Sequence, residues 1–177
     1  MKIYSTKFKD LKLIKHNAYK DKRGSLRVTH NNKIINKKFI YEYATTSLKD
    51  SLRGFHFQTK FQQAKYVTVL KGKILDCVID LRKNSKTFGK TYQILLSSKN
   101  KLALFIPKGF GHAYYSYEKE NIIYYKLDNY YAPEFENGIN VLDPKLKIRW
   151  PSKKLLVSIK DKKLNSLEIF KKKIKHL

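Results

Sequence analysis

The sequence predicts an all-β protein, built as an antiparallel β-sandwich or barrel of which the jelly roll is one solution. Eight short segments rich in Tyr, Ile, Val, Thr and Phe recur at intervals near ten residues. Several of them alternate apolar with polar residues, as half-buried strands do. Turn signals such as Lys71-Gly72 and Ser98-Lys99-Asn100 separate them. Short strands at this regular spacing are typical of sandwiches and barrels.

The predicted elements follow one another from residue 26 onwards. Helical periodicity is weak, and we predict one short helix, over residues 164–174 of the lysine-rich tail. We find no internal repeat and no linker, so residues 1–177 are predicted to form one domain. The predicted strands are 26–30, 39–45, 64–70, 73–80, 89–96, 103–106, 112–116 and 121–127.

The composition is that of a folded but strongly basic protein. The 177 residues include 39 Lys and Arg against 14 Asp and Glu, a formal charge of +25, and 42% of them are hydrophobic. That apolar content supports a sizeable core and excludes a disordered polycation. The apolar runs are shorter than the ~20 residues of a membrane span. Residues 1–10 lack the apolar core of a signal peptide, so we expect a soluble, cytoplasmic protein without membrane contact.

The positive charge raises the question of a nucleic-acid partner, since basic side chains neutralise phosphates and release counterions. Of the 39 basic residues, however, 34 are lysine and five are arginine. Base reading and bidentate phosphate contacts favour arginine. The lysines are spread along the whole chain, without an aromatic–basic RNA-binding signature. We therefore predict no nucleic-acid partner, and a surface charge that attracts anionic ligands over long range.

Chemistry-bearing side chains concentrate in five short motifs. Each motif is weak by itself, but their order and separations along the chain are specific. The motifs are Asp-Lys-Arg-Gly at 21–24, Leu-Arg-Gly-Phe-His-Phe-Gln at 52–58, Phe-Ile-Pro-Lys-Gly-Phe-Gly-His at 105–112, Tyr-Tyr-Lys at 124–126 with Asn-Tyr-Tyr-Ala-Pro at 129–133, and Asp-Pro at 143–144 with Ile-Arg-Trp-Pro at 148–151 and Ser-Ile-Lys-Asp at 158–161.

The second motif places several polar side chains on one strand. Because side chains alternate between faces, Gly54, His56 and Gln58 would share one face. Strand glycines often mark bulges, and a bulge at Gly54 could turn Arg53 towards the side of His56. An isolated histidine is most simply a packed core residue. Here the neighbouring arginine and glutamine, with Lys65 a few residues on, favour a functional site.

In this order the motifs resemble the dTDP-4-dehydrorhamnose 3,5-epimerase family, from about Asp21 to Asp161. The resemblance implies a cupin-type jelly roll that forms a homodimer and uses neither a metal nor an organic cofactor. The reaction it implies is epimerisation at C3, C5 or both of a nucleotide-linked 4-keto-6-deoxyhexose, in the synthesis of deoxysugars for surface polysaccharides. The strand pattern agrees with this fold but would not have selected it over other β-sandwiches.

The resemblance also implies roles for individual residues. A C4 ketone acidifies the hydrogens on C3 and C5, so a base removes one, the enolate is stabilised, and an acid reprotonates the opposite face. His56 matches the base, and Asp161 matches the carboxylate that orients it. Tyr125 matches the acid, and Lys65 the charge that stabilises the enolate oxygen. The side chains assigned to contacts with the diphosphate, sugar or base are Arg23, Arg53, Gln58, His112, Tyr131, Glu136 and Lys160, with Tyr131 at the position that stacks on thymine.

The sequence departs from the family pattern on the strand before the second motif. Family members commonly carry Gln-x-Asn there, whereas this chain has Tyr41 and Tyr43. We assign both tyrosines to the substrate pocket, which is therefore altered. A single-centre epimerase, or one acting on another 4-keto sugar nucleotide, stays an alternative.

Two further alternatives share the fold. Relatives that move the ketone, the 3,4-ketoisomerases, carry an Arg-Gly-x-His-x-His pattern, and Gln58 stands where its second histidine would be. A non-catalytic cupin that only binds sugar nucleotides would not need His56, Asp161 and Tyr125 together.

A metal site is not expected from the histidines. Many cupins bind a metal through a His-x-His pair, a carboxylate and a later histidine, but here only His56 and His112 match, too few ligands. We predict neither metal nor cofactor. The lone Cys77 lies in an apolar segment and is predicted to be a buried core thiol. The remaining histidines, in polar stretches, are predicted to be solvated: His16, His30 and His176.

Overall fold

The computed structural model describes residues 1–174 and contains two facing antiparallel sheets. The six-stranded sheet has the order β1-β2-β10-β7-β12-β5, and the five-stranded sheet has the order β13-β6-β11-β8-β9; β3 and β4 form a separate hairpin. The strands are β1 Lys2–Ser5, β2 Lys12–Lys15, β3 Ala18–Asp21, β4 Gly24–Arg27, β5 Tyr41–Leu48, β6 Leu52–Gln58, β7 Lys65–Lys71, β8 Lys73–Asp80, β9 Thr91–Ser97, β10 Leu102–Ile106, β11 Phe110–Ser116, β12 Glu120–Leu127 and β13 Glu136–Gly138.

The chain is helical only in short pieces. Two α-helices, α1 at Ile159–Lys162 and α2 at Leu167–Ile174, follow the last strand, and 3₁₀ turns occupy Pro133–Phe135 and Pro144–Leu146. The predicted C-terminal helix therefore exists, but it begins at Leu167, three residues later than expected. No helix within residues 1–174 is long and apolar enough to cross a membrane.

The main core lies between the two sheets. Inward-facing side chains such as Val67 and Ile123 of the six-stranded sheet pack with Val78 and Phe110 of the five-stranded sheet. The alternation of β12, in which every second residue is buried, is what one covered face requires. This core fixes the distance between the sheets and leaves a cavity at one end of the sandwich.

The outer face of the five-stranded sheet is also covered. Phe55, Cys77 and Ile79 form a second core with side chains of the C-terminal segment, including Trp150 and Phe170. Because both faces of this sheet are covered, all seven residues of β11 are buried. The prediction that Cys77 is a buried thiol is confirmed.

The structure differs from the sequence prediction mainly at the N-terminus. Strands β1, β2 and β3 were not predicted, because all three are short, and β1 and β3 are also largely exposed. They form by pairing at a sheet edge or in a hairpin, and their sequences carry little apolar alternation. The strand predicted at 26–30 lies earlier, at Gly24–Arg27.

The prediction of solvated histidines is wrong for His16 and His30. His16 was expected to be solvated, but it is 4% exposed and its Nε2 lies 2.6 Å from the Tyr66 hydroxyl. His30 is half-buried against Phe39 and Tyr66. The N-terminal segment folds over the outer face of β7 at this point, which the polar local sequence does not reveal. His176 lies outside the described residues.

Candidate active site

A cavity of about 620 Å³ opens between the sheets and collects most of the predicted site residues. Its wall comes from β5, β6, β7, β11, β12 and β13, together with the segment that leads into α1. Of the thirteen residues predicted from the sequence, all but Arg23 and Tyr41 line this cavity. Those that do are Tyr43, Arg53, His56, Gln58, Lys65, His112, Tyr125, Tyr131, Glu136, Lys160 and Asp161.

His56 and Asp161 form a hydrogen-bonded pair in the cavity wall. Nε2 of His56 lies 2.9 Å from Oδ1 of Asp161, and the backbone N–H of Gly54 donates to Oδ2 at 3.0 Å. Burial raises the pKa of Asp161, but the hydrogen bonds from His56, Gly54 and Ser158 outweigh it and leave that pKa below its ordinary value. The carboxylate therefore stays ionised and leaves Nδ1 as the imidazole nitrogen free to act on a ligand.

Gly54 is required by the close approach of β11 to β6. Its φ is +111°, and a Cβ there would lie 2.4 Å from the carbonyl oxygen of His112. The pairing of β6 with β11 shifts register at this point, with one extra residue on β6. The predicted bulge is therefore confirmed. It places Arg53 and His56 on the same wall of the cavity.

Lys65 is the buried positive charge of the site. Its residue is 8% exposed, and its ammonium lies 3.5 Å from the backbone oxygen of His56. Burial lowers the pKa of Lys65 to about 8, although Glu136 and Asp76 oppose the shift. The ammonium is thus charged at neutral pH and loses its proton at mildly alkaline pH.

A second histidine–carboxylate pair lies deeper. Nε2 of His112 is 2.8 Å from Oδ2 of Asp76, and both side chains are buried. His112 lies directly opposite His56 in the pairing of β11 with β6. Asp76 was not predicted as a site residue. The signal that could have found it is an aspartate in the middle of an apolar strand, because an ionisable group is buried there only with a partner.

Tyr125 faces the cavity from the six-stranded sheet. Its ring stacks on that of Tyr43 at 4.7 Å between centroids and 22° between planes, and the His112 ring is inclined to it by 70° with the centroids 5.9 Å apart. Burial, with the neighbouring Tyr114 and Tyr43, raises the pKa of Tyr125 well above its usual value. The phenol is therefore fully protonated at neutral pH.

Two residues assigned to the pocket lie elsewhere in this chain. Tyr41 packs behind Tyr43, with ring centroids 5.8 Å apart, and does not line the cavity. Arg23 lies at the turn of the β3–β4 hairpin, where its side chain is 85% exposed and pairs with Asp21. Neither residue therefore lines the cavity of its own chain, and their predicted contacts with a substrate stay predictions.

The mouth of the cavity carries Tyr131, Glu136 and Lys160. The Tyr131 hydroxyl donates to Oε2 of Glu136 at 2.6 Å, and the Lys160 ammonium forms an ion pair with the same oxygen. Oε1 of Glu136 lies 4.0 Å from Nδ1 of His56. Burial raises the pKa of Glu136, but hydrogen bonds from Lys160 and Tyr131 outweigh it and leave it lowered, so the carboxylate is ionised.

Gln58 lines the cavity, but its amide is engaged by the protein. The nitrogen donates to the carbonyl oxygens of Phe61 at 2.8 Å and Tyr130 at 3.4 Å, and the oxygen accepts from the N–H of Ala132 at 3.0 Å. Gln58 therefore ties together the two loops that border the cavity mouth, one of which carries Tyr131. This positioning role was not predicted from the sequence.

The arrangement suits proton transfer. An imidazole nitrogen and a protonated phenol lie on opposite sheets, and a buried ammonium that could stabilise a developing oxyanion lines the same cavity. Within residues 1–174, no group of three or more His, Cys, Asp and Glu side chains is placed to hold a metal ion.

The chain is similar to known proteins in sequence and in fold. The dTDP-4-dehydrorhamnose 3,5-epimerase family matches the chain over residues 5–168. A dTDP-4-dehydrorhamnose 3,5-epimerase of Methanothermobacter thermautotrophicus is 37% identical over 158 residues, which cover 85% of each chain. The crystal structure of dTDP-6-deoxy-D-glucose-3,5-epimerase from Legionella pneumophila Philadelphia 1, in complex with dTDP-4-keto-L-rhamnose, superposes with a TM-score of 0.92 at 33% identity and covers 98% of this chain and 96% of that one.

A second kind of relative shares the fold at lower identity. ChmJ, a 3'-monoepimerase from Streptomyces bikiniensis in complex with dTDP-quinovose, superposes with a TM-score of 0.90 at 25% identity, covering 94% of this chain and 88% of that one. The two facing sheets are thus the cupin-type jelly roll that the motifs implied. The chain belongs to the dTDP-4-dehydrorhamnose 3,5-epimerase family.

Proposed function

We propose that this protein epimerises C3, C5 or both of a nucleotide-linked 4-keto-6-deoxyhexose, of the kind that dTDP-4-dehydrorhamnose represents. The observation that carries the proposal is the His56–Asp161 pair on one wall of the cavity, opposite the phenol of Tyr125 on the other. A base and an acid on opposite sides of a bound sugar are what inversion at a carbon next to a ketone requires.

The proposed mechanism begins with proton removal. Nδ1 of His56 takes the proton from C3 or C5, and the electron pair of that C–H bond forms the enolate with the C4 carbonyl. The ammonium of Lys65 stabilises the negative oxygen, and Asp161 stabilises the imidazolium. Tyr125 then delivers its proton to the opposite face of the carbon. His56 and Tyr125 recover their original protonation states by exchange with solvent.

Substrate binding is proposed to use the side chains around the cavity mouth. Lys160, Arg53 and His112 supply donors for the diphosphate and sugar, and Tyr131 offers an exposed ring for the base. The excess of lysine elsewhere on the surface attracts an anionic nucleotide sugar over long range. Because the proposed substrate is a nucleotide-activated sugar, we expect the protein to work in the cytoplasm.

The shape of the cavity next to Tyr125 bears on whether one carbon or two are inverted. Tyr43 fills the side of the cavity next to Tyr125, where its ring limits how a sugar can turn between two deprotonations. This observation, with the fold shared by a 3'-monoepimerase, favours single-centre epimerisation as the second candidate.

One experiment tests both candidates. Full-length protein is incubated with dTDP-4-keto-6-deoxyglucose in deuterium oxide, and NMR follows the label at each carbon. Deuterium at both C3 and C5 with inverted product supports the double epimerase, and label at one carbon supports the second candidate. A His56→Asn variant is the control, since it keeps the cavity but lacks the base. The absence of label in the wild-type reaction would instead indicate a binding protein.

We also propose a homodimer that uses the outer face of the six-stranded sheet. Leu48 and Leu70 point away from the cavity on β5 and β7, and their residues are 61% and 42% exposed. Ile122 belongs to β12, the strand between β5 and β7, where it pairs with Thr46 and lies on the same outer face. A second copy would cover this apolar surface and could bring its Arg23 hairpin to a neighbouring cavity. Light scattering should give twice the chain mass for wild type and a monomer for Leu48→Lys combined with Leu70→Lys.

A further inference from the structure

Glu136 holds a position between the mouth of the cavity and its base. It accepts hydrogen bonds from Tyr131 and Lys160, and its second oxygen lies 4.0 Å from Nδ1 of His56. The carboxylate side chain is only 15% exposed, whereas the Lys160 side chain is 61% exposed. The partly buried carboxylate of Glu136 is therefore paired with the solvent-exposed ammonium of Lys160, which can exchange this partner for another anion.

The four charged or titratable side chains form a closed ring. Lys160 and Asp161 are consecutive residues of α1, and each binds a different member of the pair Glu136 and His56. His56 thus lies between two carboxylates, one against each ring nitrogen. Asp161 binds His56, whereas in the ligand-free site the carboxylate of Glu136 accepts hydrogen bonds from Lys160 and Tyr131.

We propose that Glu136 is a positioning residue whose charge is released to His56 when a ligand takes Lys160. This inference rests on the proposed function, because the diphosphate of a nucleotide sugar is the group that would compete for the Lys160 ammonium. A diphosphate carries more charge than one carboxylate, and an ion pair with an exposed lysine is weak enough to be exchanged.

The released carboxylate makes His56 a stronger base only when the substrate is in place. An uncompensated negative charge about 4 Å from Nδ1 favours the imidazolium, and at a partly solvated site this corresponds to about a tenfold gain in proton affinity. The other charged groups that face His56 are Asp161, Lys65, His112 and Arg53. They are the same in every variant compared below, so differences between variants in the same ligand state do not come from them.

The test is an NMR titration of the His56 ring in the full-length protein, with its signal assigned by loss in His56→Asn. In wild type, saturating dTDP should raise the proton affinity of His56 about tenfold. Lys160→Met should show that gain already without ligand, since only the neutral Tyr131 hydroxyl then binds Glu136 and no positive charge compensates it. Glu136→Gln should show a much smaller gain with dTDP. Lys162→Met, which removes an exposed lysine of the same helix, is the matched control and should behave as wild type.

Two outcomes would overturn the proposal. One is an unchanged titration of ligand-free Lys160→Met. The other is a full response to dTDP in Glu136→Gln, which would show that the diphosphate charge acts on His56 directly. If dTDP fails to bind, the proposed nucleotide-sugar function is contradicted, but the ligand-free comparison still decides the role of Glu136.

Discussion

At the scale of single residues, the chemistry depends on how Asp161 holds His56. Asp161→Asn keeps the shape but removes the negative charge beside the imidazole, so turnover should fall by about a hundredfold or more. Binding of dTDP should change little, because the Asp161 carboxylate bonds to Gly54 and His56 and not to the cavity mouth. Steady-state kinetics and calorimetry measure the two effects.

The pairing of His56 with Asp161 also predicts that the losses of activity in the two single variants do not add in the double variant. Residues that act as one unit lose most of their function when either is removed. His56→Ala combined with Asp161→Asn should therefore be little slower than His56→Ala alone. Additive losses would show that the two side chains act independently.

Replacing Tyr125 is predicted to separate the exchange of substrate hydrogen with solvent from the inversion of the carbon. In Tyr125→Phe the ring still packs on Tyr43, so the fold should be kept, but no phenol remains to protonate the far face. The variant should exchange substrate hydrogen with deuterium oxide faster than it forms inverted product. Tyr115→Phe is the control, since that hydroxyl binds Asp50 away from the cavity. Near-normal inversion by Tyr125→Phe would remove Tyr125 as the acid.

The lowered pKa of Lys65 predicts that activity falls at alkaline pH, which gives the pH profile an alkaline limb. That pKa is lowered to about 8 by burial, so the ammonium loses its proton as the pH rises through that value, and the enolate loses its nearest positive charge. We expect kcat/KM to fall above about pH 8. Lys65→Met should be slow at every pH and should lack this limb. A limb that persists in Lys65→Met would belong to another group.

At the scale of elements, the bulge in β6 is the feature that places the base. Gly54→Ala would drive a Cβ to 2.4 Å from the His112 oxygen and 2.7 Å from Ala113. We expect a loss of about 2 kcal/mol or more in the free energy of unfolding, measured in urea. Gly24→Ala is the matched control, because Gly24 also has a positive φ but no atom within 4 Å of the added Cβ. Equal losses would show that backbone strain, and not the clash, sets the cost.

The elements also show which parts of the structure can be predicted from sequence. Strand β8 begins and ends where its apolar pattern predicts, at Lys73 and Asp80, because a central strand is determined by its own burial. Strands β1 to β3 could not be found this way, since β1 and β3 are exposed strands with little apolar alternation, and β2 depends on pairing with the distant β10. For the same reason the sequence motifs placed His56 in the site but did not show that Asp76 or the Gln58 amide would complete it.

At the scale of the whole molecule, the buried His16 predicts sensitivity to acid. Burial, with Arg27, the N-terminal amine, His30 and Lys15 nearby, lowers the pKa of His16 to about 4. The unfolded chain binds this proton near pH 6.5, so stability is lost as the pH falls below 6.5 and the loss is complete near pH 4. At pH 5 it amounts to about 2 kcal/mol.

The measurement compares urea unfolding of wild type and His16→Gln between pH 7 and pH 5. The variant should be less stable at pH 7, because the contact with Tyr66 changes, but it should lose less stability on acidification. Parallel losses in the two proteins would assign the acid sensitivity to other groups.

The base and the carboxylate that orients it are 105 residues apart in the chain. Asp161 reaches His56 only after the last part of the chain has docked on the five-stranded sheet, where Leu156 bridges to Ser51 and Phe170 packs on Phe57. During synthesis, the two sheets can therefore form before this segment docks. The proposed base gains its orienting carboxylate only at that step, and a transient detachment of the segment would silence the proposed chemistry while the sheets stayed folded.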